Sequence, residues 1–230
     1  MKNLIHIFLI VIAPSVFFSQ SPVLSEEVDL NKELPKYGQN RTYYGHFYVS
    51  IGTEIGKSEG NLMEVNSFKS IYYDVGYRYK VRLFEYNAIG FQLNYNYYSY
   101  RLKYSSGVGL PIIVHDKDKI KISSFGLGIY DRINYGRRGN HLGKFIDIGA
   151  YGEFSFSRTH YFKQKQENGE MLKSELSRLN SVEKLNYGVL LNMGFNKIVI
   201  FGKYRLSDMI SDRDKYDEMP RLVIGLQYGF

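Results

Sequence analysis

Residues 221–230 read Arg-Leu-Val-Ile-Gly-Leu-Gln-Tyr-Gly-Phe, and they alternate between two kinds of side chain. The apolar and aromatic set comprises Leu222, Ile224, Leu226, Tyr228 and Phe230. The set between them comprises Arg221, Val223, Gly225, Gln227 and Gly229. Successive side chains of a β-strand point to opposite faces, so this stretch predicts a strand with one apolar face.

The same alternation recurs along the chain from Tyr43 onwards, most clearly from Ile71 to Leu83. An apolar face appears in every strand, and the sequence offers no buried helices to cover these faces. We therefore expect these faces to meet lipid and the sheet to close on itself. The predicted fold is all-β, a closed antiparallel up-and-down transmembrane β-barrel. Its predicted strands lie near Tyr43–Gly56, Phe68–Leu83, Ala88 onwards, Ile120–Ile133, Leu142–Ser157, Lys184–Phe195, Ile198–Leu206 and a last one ending at Phe230.

The connections between the predicted strands alternate in length. Those after the second, fourth and sixth strands are short, and the longest of the others is Arg158–Glu183. Bacterial barrels have short periplasmic turns and long outer loops, which would place both chain ends in the periplasm and require an even strand count. Eight strands fit, and ten are possible if Val108–Val114 pairs. The apolar phase changes at Tyr97–Tyr98, which predicts a β-bulge near the outer rim.

The first part of the chain has a different character. Residues 1–20 have a basic start and a short apolar core interrupted by Pro14, which predicts a cleaved secretory signal peptide rather than a spanning helix. Residues 21–42 lack periodicity and are interpreted as a periplasmic lead-in before a barrel domain at 43–230. An uncleaved membrane anchor is the alternative for the first segment.

Composition excludes several kinds of site. The chain has no cysteine, so it has no disulfide framework and no thiolate chemistry. It has 22 tyrosines, 15 phenylalanines and no tryptophan, which suits the aromatic girdles of a membrane barrel. The net charge is +7, but the basic residues alternate with apolar ones instead of clustering, so we do not expect nucleic-acid binding.

The polar faces of the strands carry charges that would point into the lumen. A barrel of about eight strands has an interior just wide enough for side chains, so these charges must pair. A salt-bridged interior that rigidifies the barrel is the favoured interpretation, and a polar-ligand site or narrow ion path is the alternative. The predicted lumen network comprises Glu54, Asp74, Arg78, Lys80, Arg82, Arg132, Asp147, Glu153, Lys203, Arg205 and Arg221.

Catalytic and metal sites find little support in the sequence. His46 is predicted to point inward near the periplasmic end, and His115 and His160 fall in predicted outer loops. Ser157, His160 and Glu153 could form a triad, but such spacing arises readily by chance, and geometry rather than spacing defines a triad. We expect no enzyme activity, no cofactor and no metal site.

Two predicted outer loops carry recognisable patterns. Leu172, Leu176 and Leu179 recur at helical spacing within Arg158–Glu183, which predicts a short amphipathic helix. Its leucines would form a small core of the loop itself, rest on the barrel rim, or dock another envelope protein. The segment Ser207–Met219 is rich in acidic residues and is interpreted as a solvated loop, with a weak calcium or lipopolysaccharide-bridging role as the alternative.

The end of the chain carries two resemblances. Gly225, Tyr228 and the terminal Phe230 resemble the C-terminal signal that the outer-membrane barrel-assembly machinery reads. Residues 201–208, Phe-Gly-Lys-Tyr-Arg-Leu-Ser-Asp, followed by Pro220 and the closing strand, resemble the outer-membrane β-barrel proteins of Bacteroidota that include the PorT-type barrels. That resemblance implies the barrel fold and an outer-membrane location, and it implies little about activity.

The expected function is therefore that of an outer-membrane barrel with a structural or interaction role in the cell envelope and no catalysis. Expected partners are outer-membrane lipid, the barrel-assembly machinery, and, as an alternative to a local role of the loop, another envelope protein at residues 158–183. The first alternative function is a narrow channel or polar-ligand carrier. A lipid-acting enzyme is the second, and a soluble lipocalin-like barrel is the third.

Overall fold

The computed structural model describes residues 35–58, 63–104, 117–136, 139–165, 171–211 and 217–230. The predicted signal peptide, most of the lead-in, Val108–Val114 and His115 lie outside these residues. Apart from one 3-10 turn at Ser67–Lys69, the assigned elements are strands. They are β1 (Tyr43–Ile55), β2 (Met63–Val65), β3 (Ile71–Arg82), β4 (Asn87–Tyr104), β5 (Lys117–Tyr135), β6 (Lys144–Lys165), β7 (Met171–Ser177), β8 (Leu185–Phe195), β9 (Ile198–Arg205) and β10 (Leu222–Gly229).

Eight of these strands close into an antiparallel barrel in the order β1, β3, β4, β5, β6, β8, β9, β10. The ring closes where β10 pairs with β1, from Tyr48 opposite Gly229 to Ile55 opposite Leu222. Closure satisfies the backbone groups that would otherwise line the edges of a sheet. The predicted eight-stranded barrel is confirmed. The two remaining strands, β2 and β7, pair with the far ends of β4 and β6 and extend the wall.

The barrel places its apolar side chains outside and its polar ones inside. In β8 exposed and buried residues alternate at every position, with Leu185 to Phe195 exposed at odd numbers and buried at even ones. Exposed apolar residues form a band around all eight barrel strands, and among the described residues no helix is long and apolar enough to cross a membrane. The exposed band includes Val49, Ile51, Tyr73, Val75, Leu93, Leu127, Ile129, Ile148, Val189, Leu191, Ile200 and Leu226.

The two ends of the barrel differ, as the sequence predicted. Short connections at 83–86, 136–143 and 196–197 define the turn end, and long ones at 56–70, 105–116, 166–184 and 206–221 define the loop end. In the tightest turn Asn196 has a φ of 54°, a left-handed conformation that asparagine tolerates. Its side-chain oxygen accepts a hydrogen bond of 3.0 Å from the backbone nitrogen of Gly143, which ties two turns together.

The predicted bulge at Tyr97–Tyr98 is wrong. The pairing of β4 with β5 runs without a shift from Asn87 opposite Ile133 to Leu102 opposite Asp118. Tyr98 lies on the same inward face as the polar residues before it. The apolar phase changes in the sequence because the barrel interior changes from polar to apolar towards the loop end. The irregularity lies instead in β6, at Phe156, where the register with β5 shifts between Ser123 and Ser124.

The predicted amphipathic helix in Arg158–Glu183 is also wrong. The strand β6 continues to Lys165 and β7 returns beside it, with Thr159 opposite Ser177. Leu172 and Leu176 are four residues apart, and four is even, so this spacing also places two residues on the same face of a strand. Leu179 lies beyond the hairpin and packs partly against the apolar cluster at the loop end.

The segment Ser207–Met219 differs from the predicted solvated loop. Its described residues include Met209, Ile210, Glu218 and Met219, all of which are buried. Asp212 and Asp214 lie outside the described residues. The described parts of this loop therefore fold into the mouth of the barrel.

Candidate functional site

The lumen is the candidate site because it collects the charged side chains of the strands. Two of the predicted lumen residues, Arg82 and Arg221, are only partly buried and lie at the turn end and the loop end. The other nine are at most 7% exposed, and they arrange in three layers along the barrel axis. These nine are Glu54, Asp74, Arg78, Lys80, Arg132, Asp147, Glu153, Lys203 and Arg205.

The layer nearest the turn end is built around Asp147. Arg132 lies directly opposite Asp147 across β5 and β6, and it donates from Nε at 2.6 Å and from Nη2 at 2.9 Å. Arg78 adds an ion pair of 3.1 Å from Nη1 to the same carboxylate. With its amide oxygen turned towards Arg78, Asn192 accepts a hydrogen bond of 2.7 Å from Nη2. One carboxylate thus holds two buried guanidinium groups.

Aromatic rings complete this layer. The Arg132 guanidinium lies 3.6 Å from the centre of the Phe145 ring, and the Arg78 guanidinium lies 4.3 Å from that of Tyr130. A cation over an aromatic face is stabilised by the ring quadrupole, more strongly where water is excluded. The rings therefore compensate part of the positive charge that the single carboxylate does not neutralise.

The middle layer joins Lys203 to Glu153 through a buried ion pair. Tyr98 donates a hydrogen bond of 2.9 Å to the same carboxylate, and Lys203 donates one of 3.0 Å to the hydroxyl of Tyr72.

Asp74, in the same layer, is held by neutral donors. Asn94 donates to it at 3.2 Å and Tyr48 at 3.3 Å. The tyrosines and asparagines of this layer were seen in the sequence only as polar-face residues, because strand alternation does not show which of them reach a charge.

The loop-end layer is organised by Arg205. Its Nη1 donates to Glu218 at 2.5 Å, and its Nη2 donates to the backbone oxygen of Met219 at 2.8 Å. Glu218 also accepts the backbone N–H groups of Met209 at 2.9 Å and Ile210 at 3.1 Å. Sequence reasoning placed Glu218 in a solvated loop. The apolar residues beside it, Met219 and Pro220, were the signal that this part of the loop is buried.

Glu54 lies in the same region and is 2% exposed. Within the described residues neither of its carboxylate oxygens accepts a hydrogen bond. The cations whose charges act on it are Arg205 and Lys203. The Glu54 carboxyl group is therefore buried near two cations without a close ion pair to either of them among the described residues.

An apolar cluster begins beside the middle layer and extends into the loop end. Two long connections meet there, since Val182 and Ile210 form an isolated bridge and the N–H of Glu183 donates to the oxygen of Met209 at 2.8 Å. The cluster combines inward residues of the strands with residues of these connections. Its members are Val65, Tyr72, Tyr98, Tyr100, Leu102, Ile120, Ile122, Val182, Phe201, Met209, Ile210, Met219 and Val223.

The three residues of the imagined triad are not assembled. His160 is buried and bonds Asp118 at 2.5 Å, whereas Ser157 is exposed and Glu153 is engaged by Lys203 and Tyr98. His46 faces the lumen and stacks on Tyr44 with ring centres 5.0 Å apart. No group of three or more metal-ligating side chains occurs in the part of the chain that the structure describes.

The residues of the C-terminal signal have a clear structural setting. A Cβ on Gly225 would lie 2.1 Å from the backbone oxygen of Ile51, so only glycine fits between β10 and β1. Tyr228 and Phe230 are exposed on the outer face, and their rings form an edge-to-face pair with centres 5.4 Å apart. A role of these residues in assembly stays a prediction.

A groove of about 500 Å³ lies on the outer apolar face, away from the lumen. Bulky side chains of β3 to β6 surround Ala150, whose short side chain forms part of its lining. Such a crevice suits lipid chains better than polar chemistry.

No family model matches this chain, and no curated protein matches it. Among solved structures, the chain is similar to Ail, the attachment invasion locus protein of Yersinia pestis, which was crystallised with the heparin analogue sucrose octasulfate. The identity is 10%, the alignment covers 81% of this chain and 97% of that chain, and the TM-score is 0.32. The barrel assignment above rests on the strand pairing of this chain.

Proposed function

We propose that this chain is an integral outer-membrane β-barrel with a structural or interaction role in the envelope and a closed lumen that neither conducts nor catalyses. The observation that carries the proposal is the distribution of side chains, which is the reverse of that in a water-soluble protein. Apolar side chains surround the outside of all eight barrel strands, while charged side chains fill the inside.

The outer band supports a lipid environment. Leu185, Phe125 and Ile129 are each more than 60% exposed, and similar residues continue around the ring. A contiguous apolar surface of this extent is unfavourable in water, since each buried Å² of apolar surface contributes roughly 25 cal/mol. Six of the barrel strands have 11 to 22 residues, enough for the roughly 9–11 residues that a tilted strand needs to cross a bilayer, and β9 and β10 have 8 residues each.

The filled interior supports a structural role rather than transport. Ion pairs occupy the turn-end and middle layers, and the last loop and the apolar cluster cover the loop end. A path for ions would have to break several buried pairs, each of which is costly to separate. The separation of Ser157, His160 and Glu153 removes the one catalytic grouping that the sequence suggested.

We also propose, from the sequence resemblance, that the chain is related to the PorT-type barrels of Bacteroidota. Within the matching residues 201–208, Tyr204, Leu206 and Asp208 form a Tyr-x-Leu-x-Asp segment. Asp208 at its end forms an ion pair of 2.6 Å with Arg221, next to the closing strand. This contact gives the segment a physical role, because it joins the two ends of the last loop. Close relatives that retain an acid at 208 and a base at 221, and that come from that phylum, would support the relationship; relatives from other phyla only would contradict it.

The test of the proposed function is heat modifiability. Protein from the outer-membrane fraction is compared by electrophoresis with and without boiling, and blotted. A closed membrane barrel should migrate differently before and after boiling. Recovery of the protein from the soluble periplasm, with no shift on boiling, would contradict the proposal and favour the lipocalin-like alternative.

A further inference from the structure

The barrel wall continues beyond the apolar band at the loop end. There β4, β5 and β6 run on and are joined by β2 and β7, forming a surface that we call the loop-end sheet. Its inward face carries apolar residues such as Leu102 and Ile120. Its outward face is formed by the odd-numbered residues of β4, β5 and β6 in this region.

Basic residues gather on that outward face. Arg101 lies opposite Lys119, and Lys163 lies opposite Lys173. Lys121 lies in the next row, opposite Ser99 and Thr159. The basic face is defined here as Arg101, Lys119, Lys121, Lys163 and Lys173.

The described residues supply little compensation for four of these five charges. In the described part of the structure no acidic side chain forms an ion pair with Arg101, Lys121, Lys163 or Lys173. Lys121 lies 4.7 Å from the centre of the Tyr161 ring, and Glu175 is the acid in register with Tyr161. Like charges directly opposite one another in a sheet are destabilising, so this arrangement favours an anionic partner.

The position of the basic face indicates which partner. Tyr95, Phe125 and Phe156 form an aromatic cluster on the outer wall, with ring centres 4.9 to 6.2 Å apart. Tyr95 donates to Ser123 at 3.1 Å, and Lys121 follows two residues further along the same face. Two residues advance a strand by about 7 Å. Aromatic girdles lie at the membrane interface, so the basic face begins at the level of the lipid headgroups.

On these grounds, and resting on the proposed outer-membrane location, we propose that the basic face binds the phosphates of anionic lipid headgroups in the outer leaflet. Lysine binds phosphate as a point charge. Ser99 and Ser177 lie in the same cross-strand row as Lys121, and their hydroxyl groups add hydrogen-bonding capacity there. The headgroup supplies the negative charge that the sheet lacks.

Protection of a sheet edge does not explain the arrangement. Lysines that prevent edge-to-edge pairing lie on edge strands. Lys119 and Lys121 are on β5 and Lys163 is on β6, both of which have partners on each side. Their charges therefore point from the face of the sheet rather than from its rim.

The test compares two double variants of the full chain. Lys163→Gln with Lys173→Gln removes two charges of the basic face, and Lys144→Gln with Lys197→Gln removes two exposed charges at the turn end. The delipidated protein in a zwitterionic detergent is titrated with diphosphorylated lipid A, and the heat-modifiable band reports thermal stability. We expect half-saturation of the stabilisation to need about 30-fold more lipid A in the first variant, at roughly 1 kcal/mol per lysine. The control and Lys163→Arg with Lys173→Arg should behave as the original chain.

Three outcomes would overturn the proposal. Equal responses of the two glutamine variants would show that the basic face is not the binding site. An equal rise with phosphatidylcholine, whose zwitterionic headgroup carries no net charge, would show that an anionic headgroup is not required. Stabilisation by a soluble sulfated oligosaccharide but not by lipid A would assign a soluble polyanion instead. If the original chain is heat-modifiable in the outer membrane but is not stabilised by lipid A, only this inference is refuted, whereas absence of the original chain from that membrane refutes the proposed function.

Discussion

Gly225 shows how closely the backbones approach where the barrel closes. An added Cβ would meet the backbone oxygen of Ile51 at 2.1 Å and the Phe201 ring at 2.7 Å. Gly202, on the neighbouring strand and opposite Ile224, has no such restriction, since its nearest contact would be 3.9 Å away. Two glycines in adjacent strands therefore have different reasons to be present.

This difference predicts the effect of adding a methyl group. Gly225→Ala should lower the free energy of unfolding by about 1–3 kcal/mol, the usual cost of overpacking, because backbone atoms would have to move. Gly202→Ala should be neutral or slightly stabilising, since alanine restricts the unfolded chain more than glycine does. Urea titration followed by loss of the heat-modifiable band measures both. Equal midpoints for the two variants would contradict the proposed steric reason.

Asp147 is the residue on which the turn-end layer depends. Asp147→Asn would leave Arg132 and Arg78 buried without a carboxylate, and breaking such a pair costs about 3–5 kcal/mol. The matched control is Asp131→Asn, because Asp131 is exposed on the outer face near the same end and bonds only the half-buried Asn87 among described residues. We expect a large fall of the urea midpoint for the first variant and little change for the second. A change of similar size in both would mean that burial of the pair does not matter.

At the scale of elements, the last loop behaves as a lid fixed to β9. Arg205 donates to Ser207, Glu218, Met219 and Pro220, and Glu218 accepts two backbone N–H groups from the other side of the loop. Buried charges with several hydrogen bonds are strong local constraints. The connection between β9 and β10 is thus held at both its start and its end.

Removing this constraint should expose the loop to protease. Glu218→Ala leaves Arg205 without its carboxylate, and we expect trypsin to cleave the connection between β9 and β10 roughly tenfold faster or more. Asp208→Ala removes an exposed ion pair of the same loop, and exposed pairs contribute about 0–1 kcal/mol, so its cleavage rate should stay near that of the original chain. Limited proteolysis of the intact protein in detergent measures the rates. Unchanged cleavage in Glu218→Ala would show that the loop is held by its apolar residues alone.

Some secondary-structure elements were predictable from the sequence and others were not. The eight barrel strands were predictable because each needs an apolar face of period two. The hairpin of β6 and β7 was not, since leucines four apart fit either a helix or a strand. A change of phase such as the one near Tyr98 can arise from a β-bulge or from a change between a polar and an apolar interior. The two look the same in sequence, and only the register of β4 with β5 distinguishes them.

At the scale of the whole molecule, the lumen charges separate along the axis. The turn-end half holds Arg78, Lys80 and Arg132 against Asp147, whereas the half nearer the loops holds Lys203 and Arg205 against four carboxylates. Those carboxylates are Glu54, Asp74, Glu153 and Glu218. These ten side chains balance as a set, five basic and five acidic, but neither half does so alone; Asp118, Arg158 and Asp217 are further buried charged residues nearer the loops.

A filled and capped lumen predicts an electrically silent barrel. Planar bilayers with the purified protein should show no stepwise conductance, because ions would have to displace buried pairs and the apolar cluster. A porin reconstituted in the same way serves as the positive control. Reproducible steps whose ion selectivity changes in Arg78→Ala or Arg205→Ala would contradict the closed lumen and favour the channel alternative.

The sequence by itself determined that this protein is an all-β closed barrel with an apolar outer face, because strands that alternate with period two and each carry an apolar face can satisfy all their backbone groups by closing into a ring. It also determined which residues face inward on most strands. Only the tertiary structure decided which charges meet, that Glu218 joins them from a loop, and that the loop-end sheet presents its lysines as a face. Those features depend on the register between strands and on how the loops fold, and contacts between residues far apart in the chain leave no local period to read.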